Sequence, residues 1–178
     1  MAWRNPLPLR LVPTEDADSF RDMPPGSTGL PLAPHPGAFA VRRRHHVHEG
    51  VDLYAPAGTP VSAIEAGEVL AVRWFTGPAL GHSWWLPTHA VWVAGASGVV
   101  VYGEISPQVT VGQRLAAGDL VGTLVPVLTR DKGRPMSMLH LELRVPGSVE
   151  DIEWLDAENR PLALRDPTPW LQEASRAG

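Results

Sequence analysis

The chain has 178 residues, of which 44% are hydrophobic and 19% charged, and this composition argues against a disordered or fibrous protein. Its 19 acidic and 15 basic residues give a net charge of -4, which is the wrong sign for a nucleic-acid-binding surface, and no apolar run is long enough to span a bilayer. It has no cysteine, so disulfides, thiolate metal sites and a cysteine nucleophile are excluded.

The first forty residues are rich in proline and form the first predicted unit. Residues 1–40 contain PLPL, MPPG and PLAPHPG and have no sustained period of 2 or 3.6, so we expect an extended arm that lies over the domain. The start of this arm lacks the continuous apolar stretch of a signal peptide. We therefore expect a cytoplasmic location, with export by a non-standard route as the alternative.

Residues 41–166 are predicted to form an all-β domain. Runs of Val, Ile and Leu separated by Gly or Pro turns predict the strands of an antiparallel sheet, at residues 61–75, 89–95, 98–105, 108–124 and 138–145. Two longer connections, 76–88 and 127–137, interrupt this series of short turns. Because long loops often carry function, we expect them to border a groove.

The last segment, residues 167–178, is predicted to be a short helix or tail. Thr168 is a candidate N-cap, Pro169 suits the first helical position, and Leu171 can pack inward.

Two segments share an Ala-Gly hairpin pattern, GTPVSAIEAGEVLAV and GQRLAAGDLVGTL, which indicates a possible internal duplication. Similar hairpins occur in carrier domains that swing a lipoyl or biotinyl group from a lysine at a hairpin tip. The only lysine of this chain, Lys132, falls in a predicted loop instead, and this disfavours a carrier domain.

Two clusters of polar residues carry the chemistry. His48 and Asp52 stand four residues apart across a glycine, and Met138, His140 and Glu142 alternate along a predicted strand. An isolated histidine on a strand is more often structural. If the two segments are neighbours, however, His48, Asp52 and His140 converge as two imidazoles and one carboxylate, which leaves the fourth tetrahedral position of a catalytic zinc ion open.

The context of these residues resembles the lysostaphin-type zinc endopeptidases, which cut peptide cross-links in bacterial cell walls. The resemblance runs from residue 44 to residue 144 and rests on HEGVDLYAPAGTPVSAIEAGEV, VVYGEI, VTVGQRLAAGDLVG and LHLEL. It implies an antiparallel β-sheet assembly of the duplicated hybrid motif kind, with a groove and Zn²⁺ at its floor. It also implies that His48, Asp52 and His140 are the zinc ligands and that the partner is a peptide or peptidoglycan fragment.

The chain departs from this family at two positions. Active members have a histidine two residues before the last ligand and another in a segment resembling Tyr-x-His, and here these positions are Met138 and Glu104. Methionine can neither transfer a proton nor donate a hydrogen bond to an oxyanion, whereas Glu104 is a candidate general base. Two functions stay open: a zinc metallopeptidase acting on peptidoglycan cross-links, and a zinc-stabilised, inactive module that binds peptide or wall or regulates another enzyme.

Other residues are weaker candidates. His45 and His46 follow three arginines, Arg42–Arg44, and such a basic run predicts a solvated edge strand, with His46 a secondary catalytic candidate. His82, Trp84 and Trp85 lie in the first long loop, where they either form a wall of the substrate groove or anchor the loop on the core. Glu142 is predicted to accept a hydrogen bond from a neighbouring ligand or from the backbone.

Overall fold

A computed structural model describes residues 2–176, and it is built mainly of antiparallel β-sheet, as predicted. The main sheet contains β3 (Val51–Tyr54), β4 (Pro60–Ser62), β5 (Gly67–Thr76), β6 (Thr88–Gly95), β7 (Gly98–Pro107), β8 (Arg114–Leu115), β9 (Leu120–Leu124), β10 (Met138–Arg144) and β11 (Leu164–Arg165). A second sheet pairs β1 (Arg10–Thr14) with β2 (Ser27–Pro31), two 3-10 turns cover Ser19–Arg21 and Pro78–Leu80, and α1 spans Thr168–Arg176.

The main sheet follows the order β11-β10-β7-β6-β5-β8, with β3 on β10 and with β9 joining β4 to β7. Each of the predicted β segments therefore contributes strands to one sheet. The long central pairs β5–β6 and β6–β7 are hairpins; the register shifts at two places in β5–β6 and at one place in β6–β7. The sheet brings β3 and β7 to opposite edges of β10, which makes β10 the strand around which the polar clusters assemble.

The two faces of β10 have different surroundings because successive side chains of a strand point to opposite faces. Leu139, Leu141 and Leu143 pack into the main hydrophobic core. The alternate residues, His140, Glu142 and Arg144, are also buried although they are polar. A polar row of this kind persists in a buried strand only when its members bond to one another.

The N-terminal arm is more structured than the extended chain that its proline content predicted. Strands β1 and β2 run parallel and pair from Arg10–Ser27 to Thr14–Pro31. Trp3, Leu7 and Leu11 are buried in the main core, because the arm carries its few large apolar side chains against the sheet. The prediction missed these strands because parallel strands that are far apart in sequence leave no hairpin signal between them.

Helix α1 begins one position earlier than the sequence suggested. The carbonyl of Pro167 accepts the backbone hydrogen bond of Leu171 at 3.1 Å, so Pro167 takes the N-cap position and Thr168 is the first helical residue. The predicted N-cap at Thr168 is therefore wrong by one residue, whereas the inward packing of Leu171 is confirmed. Residues 177–178 of the predicted tail lie outside the described part of the chain.

Among residues 2–176, no helix has both the length and the apolar character needed to cross a membrane.

Candidate functional site

The pairing of β3 with β10 brings the two predicted clusters together. Asp52 lies directly opposite His140 in the antiparallel register, and His48 precedes β3 by one short turn. Asp52 Oδ1 is 2.9 Å from His140 Nδ1 and 3.1 Å from His48 Nε2, and these two nitrogens are 3.2 Å apart. All three side chains are buried, and their donor atoms form a group that could hold a metal ion.

A close backbone approach at Gly50 allows this convergence. A Cβ added at Gly50 would lie 2.5 Å from the carbonyl oxygen of Leu141 and 3.0 Å from Glu142 Cγ. Because a real Cβ cannot come so near to backbone atoms, only glycine lets the turn between His48 and Asp52 lie flat against β10. The glycine between the two candidate ligands therefore sets their distance from the third.

Both histidines are oriented by acceptors on their outer nitrogens. His48 Nδ1 is 3.0 Å from the carbonyl oxygen of Ala38, and His140 Nε2 is 3.0 Å from Glu142 Oε1. A carbonyl oxygen and an ionised carboxylate can only accept, so Nδ1 of His48 and Nε2 of His140 carry the protons. The nitrogens that face Asp52 are then the ones available to a metal ion, which is how histidine ligands are usually held.

Arg43 contacts the second oxygen of Asp52, although the basic run was predicted to be solvated. Its Nη2 donates to Asp52 Oδ2 at 2.5 Å and its Nε donates to the carbonyl oxygen of Pro36 at 2.9 Å. Arg42, Arg44 and His45 are exposed as predicted, but the prediction is wrong for Arg43. A tight turn, closed by Arg43 N donating to His46 O, points this one side chain inward, and no sequence pattern signals that turn.

Charges around the donors perturb their titration. Burial opposes ionisation of Asp52, but the charges of His48 and Arg43 and a hydrogen bond from His140 lower its pKa well below the usual range. Burial likewise opposes protonation of His140, but hydrogen bonds to Asp52 and Glu142 raise its pKa well above the usual range. In the metal-free molecule His140 therefore keeps a proton that an incoming metal ion must displace.

Glu104 lies in an irregular stretch of β7. His89 pairs with Ile105 and Ala90 with Gly103, so Glu104 is left without a partner on β6, and its φ of 66° is in the left-handed region. A bulge of this kind turns a side chain away from the regular alternation. The side chain is buried, and its Oε2 has no hydrogen-bond partner among the described residues.

Charges in and around the candidate metal-binding group change the pKa of Glu104. Burial and the charge of Asp52 raise the pKa of Glu104 to about 8, while His140 and Arg43 act in the opposite direction. The group that could hold a metal comprises His48, Asp52 and His140 and does not include Glu104. Gly103, the residue before Glu104, pairs with His140 in the sheet, so Glu104 follows the residue opposite a candidate ligand and is not itself part of the group.

His46 and Met138, the two other residues considered for catalysis, differ in their ability to transfer a proton. Burial and the charge of Arg43 lower the pKa of His46 to about 4, so this half-buried imidazole is neutral at pH 7, and its Nε2 lies 3.8 Å from Glu49 Oε2. Met138 pairs with Tyr54 at the start of β10, two residues before His140. Its thioether provides no proton donor at the position where the resemblance expected a histidine.

The two long loops meet through their backbones. Trp85 forms a bridge with Leu128, and Leu86 N donates to the carbonyl oxygen of Val127 at 3.0 Å. The rings of His82 and Trp85 are 4.9 Å apart at their centroids, and Trp84 is 52% exposed. A pocket of about 350 Å³ lies between the loops and is lined by Ser83, Trp84, Leu128, Thr129, Arg130 and Lys132. Of the three predicted groove residues, Trp84 lines this pocket, and the substrate role of all three stays a prediction.

Sequence reasoning identified the three donors and Glu142 but missed Arg144. Arg144 Nε and Nη2 both lie 2.7 Å from Glu142 Oε2, and Arg144 is 2% exposed. The alternation that linked His140 to Glu142 continues by one step to Arg144, so the same pattern could have included it.

Comparisons with known proteins agree with this architecture. Residues 46–152 match the family model described as Peptidase family M23. The catalytic domain of the antimicrobial peptidase lysostaphin from Staphylococcus simulans is 19% identical with a TM-score of 0.55, and the match covers 89% of this chain and 99% of that domain. A solution structure of lysostaphin is 24% identical with a TM-score of 0.51, but the match covers 72% of this chain and only 44% of that one. The comparison with curated proteins gives no match.

Proposed function

The chain belongs to peptidase family M23, and on that premise we propose that it is a zinc-dependent endopeptidase that hydrolyses peptide cross-links of peptidoglycan. The observation that carries this proposal is the convergence of His48, Asp52 and His140, with their facing donor atoms 2.9 to 3.2 Å apart. Membership of peptidase family M23 supports a wall peptide as the substrate class.

The donor set suits zinc by its chemistry. Two imidazoles and one carboxylate are ligands that Zn²⁺ accepts readily, and three protein ligands leave a position open for catalysis. Each ligand also has an outer partner: Ala38 for His48, Arg43 for Asp52 and Glu142 for His140. Such partners keep ligands in one orientation before the metal arrives.

Glu104 is the residue proposed to move the proton. When bound, zinc polarises a peptide carbonyl and lowers the pKa of a coordinated water. The Glu104 carboxyl, buried and with a free Oε2, can take up a proton beside the ligand group and return it to the leaving amine. A cation held by the three ligands favours the ionised form of this carboxyl, and so counteracts the burial that raises its pKa.

A second candidate function is a zinc-stabilised module that binds wall peptides without cutting them. Met138 supports this alternative, because a thioether cannot donate a hydrogen bond to a developing oxyanion. Glu104 would then be a buried acid without a catalytic partner. The two functions share the metal site and differ only in turnover.

An assay of peptidoglycan hydrolysis by the zinc-loaded chain distinguishes the endopeptidase from the binding module. The proposal expects slow, chelator-sensitive release of amino groups that Glu104→Gln reduces by roughly 10²- to 10⁴-fold, the usual contribution of general acid–base catalysis. His89→Ala, on β6 and stacked against Trp74, is the matched control and should keep the wild-type rate. No release by a fully zinc-loaded wild-type chain would favour the binding module.

A further inference from the structure

The buried side chain of Arg144 contacts Glu142, which in turn contacts the third candidate ligand, His140. His140, Glu142 and Arg144 lie on one face of β10 and form a continuous chain of contacts: His140 Nε2 to Glu142 Oε1 at 3.0 Å, then Glu142 Oε2 to Arg144 Nε at 2.7 Å. Arg144 Nη1 in turn donates to the carbonyl oxygen of Glu150 at 2.5 Å. The contacts thus run from the donor group to the turn that follows β10.

The contacts on Glu142 restrict the position of its carboxylate. One carboxylate oxygen contacts His140 Nε2, and the other accepts a hydrogen bond from Arg144 Nε and lies 2.7 Å from Arg144 Nη2 in an ion pair. Two nitrogens of the rigid guanidinium converge on this one oxygen, which restricts where it can lie. Arg144 therefore restrains the carboxylate whose other oxygen contacts the imidazole of His140.

We propose that Arg144 is a positioning residue for the metal centre, which sets metal affinity by fixing Glu142 against the outer nitrogen of His140. The proposal rests on the metal site of the proposed function and is independent of hydrolysis. Arg144 acts through two intervening residues, and its guanidinium is not part of the donor group.

The physical reason is the constraint on the His140 ring. His140 offers Nδ1 to the metal only while Nε2 carries the proton and bonds to Glu142. Without Arg144, the buried carboxylate of Glu142 loses a charged hydrogen bond and its ion pair, and the side chain is free to rotate away from the imidazole. The ring is then no longer held in the orientation and tautomer that bind metal.

Arg73 provides a matched control. Its guanidinium stacks 4.2 Å from the ring centroid of Trp92, the same indole that Arg144 approaches at 5.9 Å. It also donates to the carbonyl oxygen of Val149, in the same turn that Arg144 contacts. Among the described residues Arg73 has no hydrogen bond or ion pair with Glu142. It shares with Arg144 the contact with Trp92, although its side chain is 40% exposed against 2% for Arg144, and it lacks the proposed positioning role.

The test compares zinc dissociation constants of the wild type, Arg144→Met, Arg144→Lys and Arg73→Met, each shown to be folded by circular dichroism. We expect Arg144→Met to bind zinc roughly 10- to 100-fold more weakly, the usual effect of losing a partner behind a ligand. Arg144→Lys should fall between it and the wild type, and Arg73→Met should equal the wild type. If Arg144→Met does not fold, the milder Arg144→Lys carries the comparison.

A spectroscopic readout separates positioning from stability. In the metal-free protein, the Nε2 proton of His140 should give an observable imidazole resonance in the wild type and in Arg73→Met, because Glu142 holds it away from solvent. Loss of that resonance in Arg144→Met would show that Arg144 positions the His140 ring even if the wild type binds no zinc; absence of zinc binding would refute the proposed function and the effect on metal affinity, but not the positioning. Equal zinc affinities and equal resonances in the Arg144 and Arg73 variants would overturn it.

Discussion

At the scale of single residues, Glu104 has a backbone conformation that the sequence could not predict. Glu104 has a positive φ, a conformation that costs a non-glycine residue on the order of 1–3 kcal/mol and is most common at functional sites. Spacing and resemblance predicted His48, Asp52 and His140 as candidate ligands, and the structure brings their side chains together in a group that could hold a metal ion. The motif conveys nothing about Arg43, whose approach to Asp52 depends on a turn that only the folded chain forms.

The burial of Glu104 predicts a pH-dependent stability in the metal-free protein. Its pKa is raised to about 8 in the folded chain, so between its ordinary pKa and about pH 8 the folded state holds a proton that the unfolded state has released. This contribution to stability is complete at low pH and is lost as the pH rises through about 8. Glutamine does not titrate, so Glu104→Gln should gain stability relative to the wild type on going from about pH 5 to about pH 8.5.

Urea unfolding in the presence of chelator at these two pH values measures the difference. Glu153→Gln, which changes an exposed carboxyl, serves as the control for the change in net charge. If the wild type and Glu104→Gln change in parallel with pH, Glu104 is not the buried acid described above.

At the scale of elements, the strands and the positions of the two long loops were predictable, whereas the contact between the loops and the structure of the arm were not. Alternating Val, Ile and Leu runs between Gly turns define β6, β7 and β10 within two residues, whereas the predicted run 61–75 divides into β4 and β5. The arm carries the same apolar residues without periodicity, because its contacts are made with distant parts of the sheet rather than with its own neighbours. The contact between the two long loops, through Trp85 and Leu128, is likewise a product of the fold.

The buried arm predicts a large stability cost for a substitution near the N-terminus. Trp3 is 2% exposed, packs in the main core and stacks on Trp170 with ring centroids 5.5 Å apart. Trp3→Ala should reduce the free energy of unfolding by about 3–5 kcal/mol, as expected for a truncated core tryptophan. Leu162→Ala, at a fully solvated position, should leave it unchanged in the same urea titration. Equal stabilities of the two variants would show that the arm does not contribute to the core.

The exposed loop tryptophan predicts an effect on binding rather than on stability. Trp84 lines the pocket between the loops and is half exposed, whereas Trp85 is partly buried and its ring centroid lies 4.9 Å from that of His82. Trp84→Ala should weaken binding of peptidoglycan fragments several-fold, since one stacked ring contributes about 1 kcal/mol, with an unchanged melting temperature. Trp85→Ala should lower the melting temperature. Unchanged affinity in a folded Trp84→Ala variant would exclude this loop as a wall of the binding site.

At the scale of the whole molecule, the sheet topology explains why the site exists. Asp52 and His140 are 88 positions apart in sequence, and only the pairing of β3 with β10 places them opposite each other. The sequence analysis predicted that Asp52 and His140 meet if their two segments are neighbours, and the resemblance implied the same. The register of β3 and β10 shows that the segments are neighbours. What the sequence could not predict is the support from outside the family match: Ala38 and Arg43 orient two of the donors and precede residue 46.

The central claim is that His48, Asp52 and His140 bind one zinc ion, and elemental analysis of the purified chain after gel filtration tests it most directly. We predict one zinc per chain in the wild type and in His89→Ala, and a loss of most of the zinc in His140→Ala, because two remaining ligands hold the ion poorly. Full zinc occupancy in a folded His140→Ala variant, or a wild-type chain that retains no zinc when supplied with it, would contradict the account.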